Sequence, residues 1–267
     1  MTREEFIRIS GYLKSRCGIN MTEKQEIMEG RLKNYLHAHG FKNHTEYMDA
    51  VERDESGKLE KELVNLLTTN HTYFMREFEH FDFLRQEVLP YLKQKEARSR
   101  DLRIWCGASS TGEEPYMLAM LIKDFFGLEH DRWDTKVLAT DIDTDVLTTA
   151  LKGVYSADQI AKLPEPWKRR FLHKILNQDK YEIVPELKQE VIFRKFNLMD
   201  PFPFRKKLHV VLLRNVMIYF DKATREALIR KVYDSLEPGG YFFVGRTETL
   251  DKSNVPFKML QPSVFRK

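Results

Sequence analysis

Only two cysteines, Cys17 and Cys106, occur in 267 residues. They are too few for a disulfide framework, so a reducing cytoplasm is the expected compartment. No apolar run approaches the ~20 residues that would cross a bilayer. The start, MTREEFIRIS, is charged and lacks the continuous apolar core of a secretory signal, so no direct membrane insertion is expected. Charge of one sign is scarce too: 44 basic against 40 acidic residues leave a net +4, mixed throughout, which argues against a nucleic-acid partner. There is no GxxxxGK[ST] loop to cradle phosphates. The histidines show neither HExxH nor clustered spacing with cysteines, so no metal is expected. Repeats and low-complexity stretches are missing as well. What remains, 42% hydrophobic and 31% charged, fits a folded chain rather than a disordered one.

The first seventy residues read as helices with polar joints. Phe6, Ile9, Tyr12 and Leu13 recur at helical spacing. Thr22 and Gln25 form a capping-box pattern for a second helix with Ile27, Met28, Leu32, Tyr35 and Leu36 inside and Gly40 as its stop. Asn43 and Glu46 mark a third, and Leu59, Leu63, Leu66 and Leu67 a fourth. From about Arg98 strand-length apolar runs alternate with amphipathic helices, the pattern of a parallel sheet with crossover helices. The expected strands are Leu102–Cys106, Lys136–Thr140, Val191–Phe196, Leu208–Leu213 and Tyr241–Gly245. Helices are expected at Glu114–Phe126, Thr144–Leu151 and Lys222–Leu236, the last stopped by Pro238-Gly239-Gly240. The tail, Phe257–Phe265, reads as one antiparallel edge strand. Asp158–Gln189 breaks the alternation and reads as an insertion, helical over Glu165–Leu176 and β-prone over Tyr181–Val184.

The chemistry concentrates in LRIWCGASSTGEEPYMLAM, Leu102 to Met120. It reads as a strand, a turn of small residues and a helix opened by Pro115, a place where a ligand lies close to backbone. Ligands of open parallel sheets bind outside the carboxyl ends of the strands. The polar residues just after each strand are therefore candidates: Glu113 and Glu114, Asp141, Asn197 with Leu198, and Arg214 with Asn215. An acid ending the second strand suits a pair of ribose hydroxyls, since a carboxylate accepts both hydrogen bonds. Acids beside the turn would repel a pyrophosphate. A sugar and base without phosphate fits better, and S-adenosylmethionine is the common ligand of that kind.

GASSTGEEPY resembles the GxSTGEEPYS-like signature of the CheR family, the chemotaxis receptor methyltransferases. TTNHTYFMRE (Thr68 to Glu77), ATDID ending at Asp143, NLMD (Asn197 to Asp200) and RNVMIYF (Arg214 to Phe220) agree with that family in the same order. The resemblance implies an α/β fold: a Rossmann-like, seven-stranded S-adenosylmethionine-dependent methyltransferase sheet. It also implies a small all-helical N-terminal receptor-docking domain, 1–75, ahead of a methyltransferase domain, 76–267, with a small β-subdomain inserted at about 158–190. The implied reaction is methyl transfer from S-adenosylmethionine to glutamate side chains of a chemoreceptor's cytoplasmic helical region, leaving S-adenosylhomocysteine, as part of chemotactic adaptation. The protein would act as a cytoplasmic monomer. By the same resemblance Asn70, Thr72, Arg76, Glu114, Asp141, Asn197, Leu198, Arg214 and Asn215 contact the cofactor. Arg76 and Tyr219 flank the methyl transfer.

Each of these residues has a plainer role available. Asn70 and Thr72 would cap a helix starting near Tyr73. Arg76 with Glu77, Glu79 and Asp82 would be a solvated charge cluster. Asp143 reads best as an N-cap, and Tyr219 with Phe220 as core. Two departures from the family pattern lie beside the site: Met75 where a phenylalanine is common, and Met117 where a serine is. Lys24, Arg31, Lys33 and His37 give the second helix a thin basic face for docking an acidic coiled coil. Some family members hold a receptor's C-terminal peptide by β-strand addition through a glycine-containing turn. Leu176–Gln189 has no glycine, and Pro185 follows its β-prone piece, so tight pentapeptide binding is expected to be absent.

Overall fold

The computed structural model describes residues 1–22, 24–251 and 255–267. Helix α1 (Arg3–Cys17) opens on a reciprocal capping box: the Thr2 hydroxyl accepts from Glu5 N while the Glu5 carboxylate accepts from Thr2 N. It closes on Gly18, left-handed at φ 74°. Then come α2 (Gln25–Ala38), α3 (His44–Arg53), capped by Asn43 as expected, and α4 (Lys58–Leu67). Thr22 does not cap α2; its hydroxyl is spent on Asn20 Oδ1, and the helix starts at Gln25. Ile27, expected inside, is 50% exposed, because it sits one position off the buried Met28–Leu32–Leu36 stripe.

A helical stretch that the periodicity did not suggest follows: α5 (Glu79–Phe83), one π turn (Leu84–Val88) and α6 (Leu89–Lys95). Pro90 lies within this continuous run, directly after the π turn, the kind of local irregularity that accompanies a proline inside a helix. The remaining elements are β1 (Ile104–Gly107), α7 (Glu113–Phe126), β2 (Val137–Asp141), α8 (Thr144–Lys152), β3 (Val154–Ser156), α9 (Ala157–Ile160), α10 (Glu165–Phe171), β4 (Leu172–Lys174) and β5 (Lys180–Ile183). After them come α11 (Pro185–Lys188), β6 (Val191–Lys195), β7 (Leu208–Leu213), α12 (Lys222–Ser235), β8 (Leu236–Val244), β9 (Lys258–Gln261) and β10 (Val264–Arg266).

Seven strands form one sheet in the order β6-β2-β1-β7-β8-β10-β9. The first five run parallel, and β10 is antiparallel to both its neighbours. Chain order reverses between β1 and β7, so the crevice outside their carboxyl ends is the switch point where ligands of such sheets bind. Three details differ from expectation. The tail supplies two strands, not one, because it turns back on itself between Gln261 and Val264. Leu172–Lys174 is a strand rather than the end of a helix; it pairs with β5, and β3 completes a small antiparallel sheet that begins before the expected insertion, at Val154. Pro238-Gly239-Gly240 lies inside β8, at a register shift against β7, instead of ending α12.

The strands alternate between two cores. Ile104, Cys106, Val210 and Leu212 face α7, α5, α6 and the small sheet. Trp105, Val211, Leu213 and Phe242 face α12 and the N-terminal helices, whose Ile9, Leu13, Leu32 and Leu63 belong to the same cluster. The helical segment thus packs on the seven-stranded sheet and reaches the switch point. Among the described residues, no helix is long and apolar enough to cross a membrane.

Candidate active site

A cavity of about 370 Å³ opens at the switch point, within the roughly 300–1,000 Å³ usual for small-molecule sites. Its floor is the turn after β1. Ala108 (φ 57°), Ser110 (φ 49°) and Gly112 (φ 98°) are all left-handed, a crowded conformation for residues with a Cβ. The turn is held by β2: Ser109 N donates to Thr140 O at 2.9 Å, and Ser110 N to Asp141 Oδ2 at 2.8 Å. Asp141 Oδ1 accepts from Asp143 N at 3.0 Å. Burial pushes the Asp141 carboxyl up to about 6, against the downward pull of the Asp143 and Ser110 N–H groups. The side chain lines the cavity.

The two adjacent acids separate by role. Glu113 is buried away from the cavity, accepts from the Thr111 hydroxyl at 2.6 Å, and is pushed up by burial. Glu114 lines the cavity, accepts from Cys106 Sγ at 3.1 Å and pairs with Arg214 Nη1. Burial raises the Cys106 thiol far above its usual range, so it serves as a neutral donor. Arg214 Nη2 donates to Arg76 O at 2.7 Å and to Glu77 Oε2 at 3.2 Å. Its Nε is buried and has no hydrogen-bond partner among the described residues. Asn215, left-handed at φ 59°, donates its N–H to Glu248 Oε2 at 2.8 Å.

One wall is the linker after α4. Arg31 donates to Leu67 O, Thr68 O and Thr69 Oγ1 at 3.1, 2.7 and 3.1 Å. Arg31 therefore holds the linker rather than standing on an open docking face. From the other side Asp143 accepts from Thr68 Oγ1 at 3.0 Å and from Asn70 Nδ2 at 2.6 Å. No helix begins near Tyr73, so Asn70 and Thr72 cap nothing, and both line the cavity. Arg76, half-buried, donates to His71 O at 2.8 Å and lies over the Tyr73 ring at 5.8 Å. Left-handed Met75 and Glu77 flank it. The two departures meet here: Met75 N donates to Met117 Sδ at 2.9 Å.

The opposite wall comes from β6 and β7. Asn197 donates to Arg16 O at 2.7 Å and accepts from Met199 N at 3.0 Å, with Leu198 beside it. Tyr219 sits on a short 3-10 turn, Met217–Tyr219, with its carbonyl accepting from Asn20 N at 2.8 Å and Lys24 Nζ 5.3 Å over its ring. All ten expected residues, from Asn70 to Tyr219, thus line the same cavity.

Three acids were underread from sequence. Asp143 does cap α8, through Asp145 N and Val146 N, but its other oxygen carries the linker. Glu248 is buried and accepts from the N–H groups of Gly245, Asn215 and Ile218, shaping the loop after β7; burial raises its carboxyl while those donors oppose the rise. Its sequence signal is its place just after the last parallel strand, in Gly245-Arg246-Thr247-Glu248. Glu77, read as a solvated charge, is mostly buried behind Arg214. At the far end of the sheet, Glu96, His209 and Glu237 converge, but Arg103 already lies among them, donating to Glu237 and approaching His209 Nε2 at 2.8 Å, so the group is an ion-pair network.

The site suits S-adenosylmethionine in its chemistry: an acid at the end of β2 lining the cavity for ribose, a carboxylate for an ammonium, and no phosphate loop. The comparisons agree. Residues 70–265 match the model of the CheR methyltransferase SAM binding domain, and residues 4–68 that of the CheR methyltransferase all-alpha domain. The chemotaxis protein methyltransferase of Borreliella burgdorferi is 40% identical over 273 residues, covering 100% of this chain and 95% of that protein. Chemotaxis protein methyltransferase 2 of Pseudomonas aeruginosa is 37% identical, covering 92% and 87%. The chemotaxis protein methyltransferase of Escherichia coli is 32% identical, covering 97% and 89%.

Proposed function

This chain belongs to the CheR methyltransferase family, and we propose that it transfers the methyl group of S-adenosylmethionine to glutamate side chains in the cytoplasmic helical region of a chemoreceptor. The observation that carries this is the gathering of Arg76, Tyr219, Glu114 and Asp141 from four separated motifs around one cavity.

S-adenosylmethionine supplies an electrophilic methyl on a sulfonium. A glutamate side chain, with a pKa of roughly 4.3, is already ionised at neutral pH, so no general base is needed. One of its oxygens forms the new C–O bond as the C–S bond breaks toward sulfur, giving the methyl ester and S-adenosylhomocysteine. Positioning and removal of water from the carboxylate then supply the rate. Arg76 orients the incoming carboxylate, and Tyr219 hydrogen-bonds beside the reacting atoms. Asp141 accepts from the ribose hydroxyls, and Glu114 takes the ammonium of the amino-acid end. Asn70, Thr72, Asn197, Leu198, Arg214 and Asn215 complete the pocket. Residues 1–75 dock the receptor, through Lys33 and His37 of the α2 face with Lys24 just before it, and lend Asn70 and Thr72 to the pocket, while 76–267 carry the rest of the site. Esterification removes one negative charge per site and so relaxes repulsion between receptor helices.

Purified protein, chemoreceptor-containing membranes and methyl-labelled S-adenosylmethionine test this. Label entering the receptor and leaving as methanol in base supports the reading. Base-stable label, or label confined to small molecules, overturns it.

A further inference from the structure

Glu77 contributes nothing to the cavity wall, yet three loops meet on it. Its Oε2 accepts from Arg214 Nη2 at 3.2 Å. Its Oε1 accepts from Asn215 Nδ2 and from Arg246 N, each at 3.3 Å. The backbone adopts φ 49° to deliver that side chain, a conformation that persists in L-residues only where surroundings enforce it. Arg214 is 1% exposed at its side chain and divides its guanidinium between Glu77 and Glu114, which are 11% and 16% exposed.

We propose that Glu77 is a positioning residue for the amino-acid end of S-adenosylmethionine: it occupies half of the Arg214 guanidinium, so that Glu114 on the other half keeps net negative charge facing the cavity. This rests on the reading of Glu114 as the ammonium contact.

The other groups around the cluster leave that charge intact. His80 Nδ1 lies 3.6 Å from Glu77 without a hydrogen bond. Burial, then repulsion from Arg214, lowers this imidazole to about 4, so it is neutral at pH 7. Burial pushes Glu77 up, but Arg214 and its hydrogen-bond donors hold it below the usual carboxylate range. The Arg246 guanidinium pairs with Glu79, and the Cys106 thiol is neutral. Two carboxylates therefore share one buried cation. Were Glu77 neutral, Arg214 would be balanced by Glu114 alone, and an arriving ammonium would have to compete with the arginine for that carboxylate.

Calorimetric titrations of wild type, Glu77→Gln, Glu77→Asp and Glu114→Gln with two probes test this. S-adenosylhomocysteine carries the amino-acid end; 5′-methylthioadenosine keeps the nucleoside and thioether without it. Glu77→Gln is expected to weaken S-adenosylhomocysteine about tenfold and 5′-methylthioadenosine by less than about twofold, with Glu77→Asp within about threefold of wild type for both. A second neutral variant, Glu77→Met, guards against a folding defect peculiar to glutamine and is expected to give the same split. Equal weakening of both probes, as a merely structural role would give, overturns the inference, and so does no weakening. Glu114→Gln that leaves the preference between probes unchanged overturns the reading of Glu114 and this inference with it. A preference lost in Glu114→Gln but kept in Glu77→Gln overturns this inference alone.

Discussion

Asn70 donates its side-chain N–H to Asp143 Oδ2 at 2.6 Å, and that bond brings the linker wall onto the end of β2. The other Asp143 oxygen caps α8. One carboxylate therefore stabilises a helix and shapes the cavity together. Asp143→Ala is expected to cost about 2 kcal/mol, from the lost cap and the lost charge-assisted bonds. A lower urea midpoint and weaker S-adenosylhomocysteine binding would both register it; an unchanged midpoint would contradict this account.

Arg76 and Tyr219 carry the chemical step in the proposed function. Arg76→Ala is expected to slow single-turnover methyl transfer about 10²–10³-fold, the usual effect of losing a charge-orienting donor. Tyr219→Phe keeps the ring under Lys24 and is expected to cost about tenfold. If rapid-quench measurements put both variants at the wild-type rate, these roles are wrong.

In the proposed function, Asp141 is expected to give cofactor binding its own pH dependence. A carboxylate accepts from two hydroxyls; a protonated carboxyl must donate one of its positions. The group is held up at about 6 by burial, so it is protonated below that pH and ionised above. Affinity for S-adenosylhomocysteine is expected to rise between pH 5 and 7 and then level off. Asp141→Asn should flatten the profile.

Peptide capture by the small sheet is expected to be absent. The turn between β4 and β5 uses Asn177, left-handed at φ 59°, in place of a glycine. Pro185 begins α11 two residues after β5 ends. A receptor C-terminal pentapeptide should give no micromolar isotherm in calorimetry; a clear one would refute the expectation.

Alternation and strand-end polarity, read along the chain, determined the parallel sheet, the turn after β1 and the choice of Asp141, because periods of 2 and 3.6 are local properties of backbone geometry. The family motifs added Asn70, Arg76 and Tyr219, which spacing alone would have left as cap, surface charge and core. Where an element's state depended on distant pairing, local reading failed. Leu172–Lys174 became a strand only because β5 lies beside it, and the tail turned back to form a hairpin on β8. Partnership of charges was likewise decided by tertiary structure. Nothing near Arg31 in sequence says that it binds the linker carbonyls of Leu67 and Thr68. Nor does anything beside Glu77 say that it will meet Arg214. Such pairs form because burial forces each polar group to find whichever partner the fold brings near, and that partner has no fixed distance along the chain.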